Sequence, residues 1–332
     1  MTPRERFVSA LRFEEPVDRL PVIEWAAWWD QTIRRWETEG LPTALGWEES
    51  VRHFGLDVLH CVAARPIGPG CPAPSRHGGA IVADEASYDA VLPFLYQQAS
   101  IDAMLAEARS LKDAHERGDI AIRVWLDGFF WFPRTLFGIE NHLYSFYDQP
   151  DLMHRMNSDL ADFNMRAIDA LLTVLTPDMV GLAEDMSYNN GPMLSEACFA
   201  EFLLPYYHRL VPKVHSYGVP VLLDSDGDVE SMIPWLQRAG IDGVYPLERQ
   251  AGVDIVRLRE RFPRLLMMGG YDKMVMTRGE AAMRAEFDRL LPVMRSGGYI
   301  VSVDHQTPPG VSLADYEIYV RLLKQYAELA PS

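Results

Sequence analysis

Short apolar runs that stop at an acidic residue recur along this chain. The sharpest is Val219-Pro220-Val221-Leu222-Leu223, which ends at Asp224, Asp226 and Asp228 with Gly227 among them. A helical pattern follows, because Val229, Met232, Ile233, Leu236 and Ala239 recur on one face of a 3.6-residue period. The segment predicts a buried strand, an acidic turn and an amphipathic helix. Asp228 suits an N-cap, and Asp226-Gly227 suits a turn. Neither role explains Asp224, the first polar residue after the run.

The same grammar extends both ways. Strands are predicted at 22–25, 57–62, 121–125, 179–183, 219–223, 243–247, 265–268 and 299–303. Helices are predicted after Thr2, where Pro3 suits the first turn, and at 47–54, 150–175, 195–217, 229–239, 253–261, 279–295 and 313–329. Residues 92–117 are expected to be loop and helix, and 16–21 a connector. Residues 65–80 are rich in Gly and Pro and predict an irregular, lid-like excursion. Eight strands with intervening helices predict a (β/α)8 TIM barrel, a single domain over 1–332. An open doubly wound sheet is the competitor, but no GxGxxG follows the first strand.

Composition narrows the function. A chain of 332 residues that is 48% hydrophobic can bury a large core. Its net charge of −16, with no Lys/Arg run, disfavours nucleic acid and anionic membranes as partners. Three cysteines without a CxxC pair argue against a disulfide framework and fit a reducing cytoplasm. The N-terminus lacks a secretory apolar core, and no apolar run approaches the roughly 20 residues needed to span a bilayer.

Acids close several predicted strands: Glu24, Glu184-Asp185, Asp224 with Asp226, Glu248, Asp272 and Asp304. In a barrel these ends meet at one mouth. Like charges in a shared cleft repel, so the ring calls for a metal, a cationic substrate or carboxyls kept protonated for proton transfer. For any one acid, a helix cap or an ion pair explains it equally well. As a group they favour chemistry, with Asp224, Asp226 and Glu184 as acid/base candidates and His305 beside them. His60 suits strand packing, and His208 and His215 a helix surface. Asp224, Asp226 and Asp304 offer oxygen ligands to a divalent metal. Trp25, Trp28, Trp29, Trp125, Phe129, Phe130, Trp131, Tyr188 and Tyr271 lie near strand ends and predict a flat, partly apolar ligand. Trp25, Trp28, Trp125, Phe130, Asn189, Glu248, Tyr271 and Asp272 form the expected substrate-binding set.

Several stretches carry a resemblance, in order along the chain. They are Thr2-Pro3-Arg4-Glu5-Arg6 with Asp18-Arg19-Leu20-Pro21, Phe54-Gly55-Leu56-Asp57, and Glu184-Asp185-Met186 with Gly191-Pro192-Met193-Leu194-Ser195. Phe202-Leu203-Leu204-Pro205-Tyr206, Asp224-Ser225-Asp226-Gly227, Gly240 to Gly243 with Pro246-Leu247-Glu248, Gly269 to Lys273, and Gly297-Gly298 through Asp304-His305 complete it. Together they resemble the uroporphyrinogen decarboxylase superfamily, which includes that decarboxylase and methyltransferases acting on methyl-corrinoid proteins. The resemblance implies a (β/α)8 barrel with its site at the carboxyl mouth.

Departures choose among its branches. The decarboxylase carries Arg-Gln-Ala-Gly-Arg-Tyr where this chain has Glu24-Trp25-Ala26-Ala27-Trp28-Trp29, and its catalytic Ser-Asp pair falls near Ala63-Ala64. His305 matches its late histidine. The corrinoid-to-thiol methyltransferases hold zinc through His-x-Cys and a later Cys, which match Asp224, Asp226 and about Asp304. Replacement of these ligands by aspartate argues against thiolate activation by zinc. The resemblance therefore implies methyl transfer between a corrinoid, carried by a partner protein, and a small carrier such as tetrahydrofolate. Asp224 or Glu184 would protonate the carrier nitrogen, and Trp25 or Phe130 would stack on a pterin. Decarboxylation of uroporphyrinogen or another carboxylated substrate is the second expectation. A tetrapyrrole- or corrinoid-binding module is the non-enzymatic one.

Overall fold

The computed structural model describes residues 1–14 and 18–330. Seven of the predicted runs form one parallel sheet, curled so that its strands surround a common interior. They are β1 (Val58–Ala63), β2 (Ile120–Asp127), β3 (Met179–Ala183), β4 (Val221–Asp224), β5 (Gly243–Tyr245), β6 (Leu266–Tyr271) and β7 (Tyr299–Val303). Each pairs with its neighbour in sequence order. Helices return the chain from one strand to the next, as parallel pairing requires. The strands are nearly continuous apolar runs because helices or the interior cover both faces; all five residues of β3 and of β7 are buried.

The expected first strand does not join this ladder. Residues 22–25 are buried beside the sheet, but side chains occupy many of their polar groups. The Asp57 amide donates to the Val22 carbonyl (2.7 Å), and the Val22 amide donates to Asp57 Oδ2 (3.0 Å). The Trp25 amide donates to Ser302 Oγ (3.4 Å), while its indole N–H takes the Val303 carbonyl (2.8 Å). The segment thus touches β7 without exchanging backbone pairs, and the sheet counts seven strands where eight were expected.

Other differences have local causes. The helix expected over 195–217 is two, Glu196–Phe202 and Leu204–His215, because Pro205 has no amide to continue the first. The helix expected over 229–239 is a 3-10 turn, Glu230–Met232, followed by Ile233–Arg238. Helices Asp30–Glu39, Glu85–Val91, Trp131–Phe137 and Ile139–Asp148 were not foreseen. The first buries only Thr32 and Trp36, too few positions to write a period into the sequence. Of the connector expected at 16–21, residues 16 and 17 lie outside the described residues. Among the described residues, no helix is long and apolar enough to cross a membrane.

Candidate functional site

The pairing register builds the site. Asp127 lies opposite Ala183, Ala183 opposite Asp224, and Asp224 opposite Tyr245. Residues in register share a sheet face, so one row at the carboxyl ends of four strands presents two acids, a small residue and a phenol. One row below, Trp125 lies opposite Gly181. A Cβ at Gly181 would overlap the Tyr245 hydroxyl, so glycine there gives the phenol its space. Above this row is a cavity of about 270 Å³. Trp25, Trp125 and Trp131 wall it, and Asp127, Asp185, Asp224, Asp226, Arg65 and His305 supply its charges.

Asp224 is the least compensated of these groups. It is 9% exposed, and among the described residues its carboxyl makes no hydrogen bond. Burial, then Asp185 and Asp226, push its pKa well up, and Arg123 opposes them. Asp226 is paired, with Oδ2 3.4 Å from His305 Nε2, and this pairing raises the His305 pKa. Asp185 has a positive φ of 40°, a costly backbone state for a non-glycine residue. Its Oδ1 accepts from the Asp226 amide (3.3 Å), and burial followed by Asp226 raises its pKa. Burial also raises Asp127, which Arg65 partly offsets.

Beneath the cavity is Arg123, 7% exposed. Its guanidinium carbon is 5.9 Å from the Trp25 ring centre, 5.4 Å from Trp125 and 5.9 Å from Tyr245. Its Nε and Nη1 are buried without partners. This arginine was not singled out from the sequence, because it sits inside the run Ala121 to Trp125 rather than at its end. Arg65 and Asp127 were likewise outside the expected set, although Asp127 closes its run, whereas Asp185 and Trp131 stand among the expected strand-end acids and aromatics.

Several expected site residues are placed elsewhere. Glu184 is buried, and its oxygens accept from the amides of Phe129 (2.8 Å), Phe130 (2.7 Å) and Trp131 (3.0 Å) and from the Tyr207 hydroxyl. It closes the open amino end of helix Trp131–Phe137, the helix that carries Trp131 to the cavity. Burial pushes Glu184 up to about 7 against these donors. Gly128 permits this approach, since a Cβ there would overlap the carboxyl. Glu24 is sealed by Ser302 and Tyr316. Trp28 packs with Trp36, Phe54 and Tyr316, and Phe130 with His142 and Phe146; both are core. Tyr271 is buried against Phe287 and Tyr319. Asn189 is exposed at a hairpin turn, and Asp272 caps the turn at Met274.

The proposed metal trio does not converge. Asp304 is fully buried, and its oxygens accept from the Arg249 amide (2.9 Å), the Lys273 amide (3.2 Å) and Lys273 Nζ (3.1 Å). Burial raises it to about 6 while Lys273 pulls it down. Among the described residues no three His, Cys, Asp or Glu side chains gather as a metal would need. Glu248 stands behind Asp226, accepting from the Gly227 amide (3.3 Å) with Lys273 Nζ 3.8 Å away.

Larger hollows lie elsewhere. One of about 340 Å³ at the opposite strand ends is lined by Arg4, Asp178, His215 and Asp242. A groove of about 650 Å³ runs between helix Ile139–Asp148 and Met193 to Cys198. Neither gathers uncompensated titratable groups at the carboxyl ends of strands, where barrels place their chemistry.

The family model described as Uroporphyrinogen decarboxylase (URO-D) matches residues 98–326. A methyltransferase from Methanosarcina mazei has a similar structure, with a TM-score of 0.67 over 98% of this chain and 99% of that one at 16% identity. More distant is a B12-independent methionine synthase from Shewanella sp. W3-18-1, with a TM-score of 0.46, 12% identity, and 68% and 65% of the two chains covered. A putative vitamin-B12 independent methionine synthase from Listeria monocytogenes gives 0.44 at 14% identity, over 95% and 97%. At such identities the likeness speaks for the fold, and the two synthases are too remote to weigh. A search of curated protein sequences gives no significant match.

Proposed function

Since the chain belongs to the uroporphyrinogen decarboxylase family, we propose that it is a methyltransferase of that family, exchanging a methyl group between a small carrier and a corrinoid on a partner protein. One observation carries the reading: Asp224, a buried carboxyl with no hydrogen-bond partner among the described residues, faces an aromatic cavity at the strand ends. Burial beside Asp185 and Asp226 favours the protonated form of this carboxyl when the cavity is empty, and a carboxyl so placed can pass a proton to or from a ligand. When a methyl group leaves a carrier nitrogen, the C–N electron pair stays on nitrogen, and Asp224 protonates that atom. In the reverse direction the Asp224 carboxylate removes the proton from the accepting atom.

A cavity of about 270 Å³ admits one small ligand or the edge of a pterin, and not a corrin ring. A corrinoid would supply the second methyl-carrying centre from its partner protein, outside the mouth. Stacking falls to Trp25, Trp125 and Trp131, since Phe130 is core. The segment 22–25 closes the gap between β1 and β7 as the eighth stave of a barrel in this reading.

Decarboxylation of a polycarboxylated substrate fits less well. Four aspartates line the cavity, against Arg65 and His305. The test is methyl exchange with methylcobalamin, followed by absorbance, with methyltetrahydrofolate and simple N-methyl compounds as carriers. Activity that Asp224→Asn removes supports the proposal. No exchange with any carrier, or an unaffected variant, sinks it. Release of carbon dioxide from uroporphyrinogen would replace it with the decarboxylase reading.

A further inference from the structure

The charges lining the cavity are unequally matched. Asp226 has His305, Asp127 has Arg65, and Asp185 has the Asp226 amide. Among the described residues Asp224 has no hydrogen-bonding neighbour, and it is nine-tenths buried and faces the cavity. Three indoles stand around it. Carboxylates attract any cation, but indole faces reward a particular kind: weakly hydrated, with its charge spread over carbon-bound hydrogens. A metal ion gains nothing from indoles, and among the described residues the donors for one do not converge.

Arg123 is the counterargument, since its guanidinium already lies against Trp25 and Trp125. It lies on the floor, however, and the neighbouring carboxyls Asp185 and Asp226 act on Asp224 more strongly than it does. Among the described residues Asp224 keeps no hydrogen-bond partner, a cation arriving beside it would favour its ionised form, and all three indoles line the same cavity.

We propose that this cavity selects a small organic cation, an ammonium bearing methyl groups, seated against Trp25, Trp125 and Trp131 with its charge toward Asp224 and Asp226. The inference rests on the reading above in taking this cavity as the place where the methyl carrier binds. It adds the carrier's chemical class: a cationic methylated nitrogen, in preference to a neutral ether or an anion. The size of the cavity limits the ligand to a compact head group with a short substituent.

Calorimetric titration of the full chain tests this with choline, its neutral carbon analogue 3,3-dimethylbutan-1-ol, and butyrate. Choline should bind about tenfold more tightly than the alcohol, the margin expected of a desolvated cation–aromatic site. Asp224→Asn should reduce choline affinity while leaving the alcohol unchanged. Asp226→Asn, at a more exposed position, repeats the test without disturbing the core. The proposal is overturned if the alcohol or butyrate binds as tightly as choline, or if none of the three binds. It is also overturned if zinc or magnesium chloride alone binds at the same aspartates and excludes choline. Choline binding without methyl exchange would leave this inference standing and remove the methyltransferase reading. Exchange from a neutral donor without choline binding would do the reverse.

Discussion

Asp224 and Glu184 are both buried carboxyls at strand ends, and their surroundings give them opposite characters. Glu184 receives three backbone amides and a tyrosine hydroxyl. Asp224 receives nothing and borders the cavity. Asp224→Asn should therefore lower methyl transfer by about 100-fold or more, with little loss of stability. Its effect on stability depends on pH. The native pKa of Asp224 lies above its unfolded value, so the folded state binds more protons than the unfolded state between the two values, and wild-type stability falls as pH rises through that window. The variant lacks this term. Its melting temperature relative to wild type should climb as pH rises above roughly 4, the unfolded value, as calorimetry at stepped pH would show. A constant difference would mean that Asp224 is not a buried proton holder. The distinction between the two acids was invisible in the sequence, where both simply follow apolar runs. What separates them is the amino end of a helix whose start, Phe129-Phe130-Trp131, looked like aromatic ligand surface.

At the level of elements, the strands were legible because burial on both faces leaves them as plain apolar runs. The helices between 131 and 148 were not, because Gly138 divides them and aromatic residues obscure their period. Their placement depends on one close approach. Gly128→Ala puts a methyl group into the Glu184 carboxyl and should cost about 1–3 kcal/mol, measurable by urea unfolding. Trp131 fluorescence should change with it; a variant as stable as wild type would contradict the packing. A second fastening joins the ends of β6 and β7. Lys273, itself buried, bonds Asp304 and holds the turn that carries His305. Lys273→Met leaves Asp304 without its cation and should destabilise by about 3–5 kcal/mol, read by the same unfolding experiment. Sequence patterns suggested Asp304 as a ligand because it ends a strand, but they do not reveal that a lysine from the neighbouring strand end has already claimed it.

For the whole molecule, the notable contrast is between seven paired strands and the unpaired segment at 22–25. Periodicity predicted a strand there and correctly identified a buried run, but hydrogen bonding is not written in hydropathy. Asp57, Ser302 and the Trp25 indole take roles that a ladder would have filled. Hydrogen exchange should separate the two classes. Amides of residues 23 and 24 should exchange well before those of 299–303, since local opening there breaks few bonds. Equal protection would show that the segment pairs as a strand in solution.

The cavity also has a consequence for traffic. Arg123 and Tyr245 fill the interior below it, so a ligand reaches Asp224 only from the strand-end side. With room for a single small guest, arrival of the next must wait for departure of the last. Turnover at such a dead end is ordered by vacancy, and a product that lingers competes directly with fresh substrate. Steady-state kinetics should accordingly show the demethylated carrier as a competitive inhibitor of the methylated one, with no complex holding both.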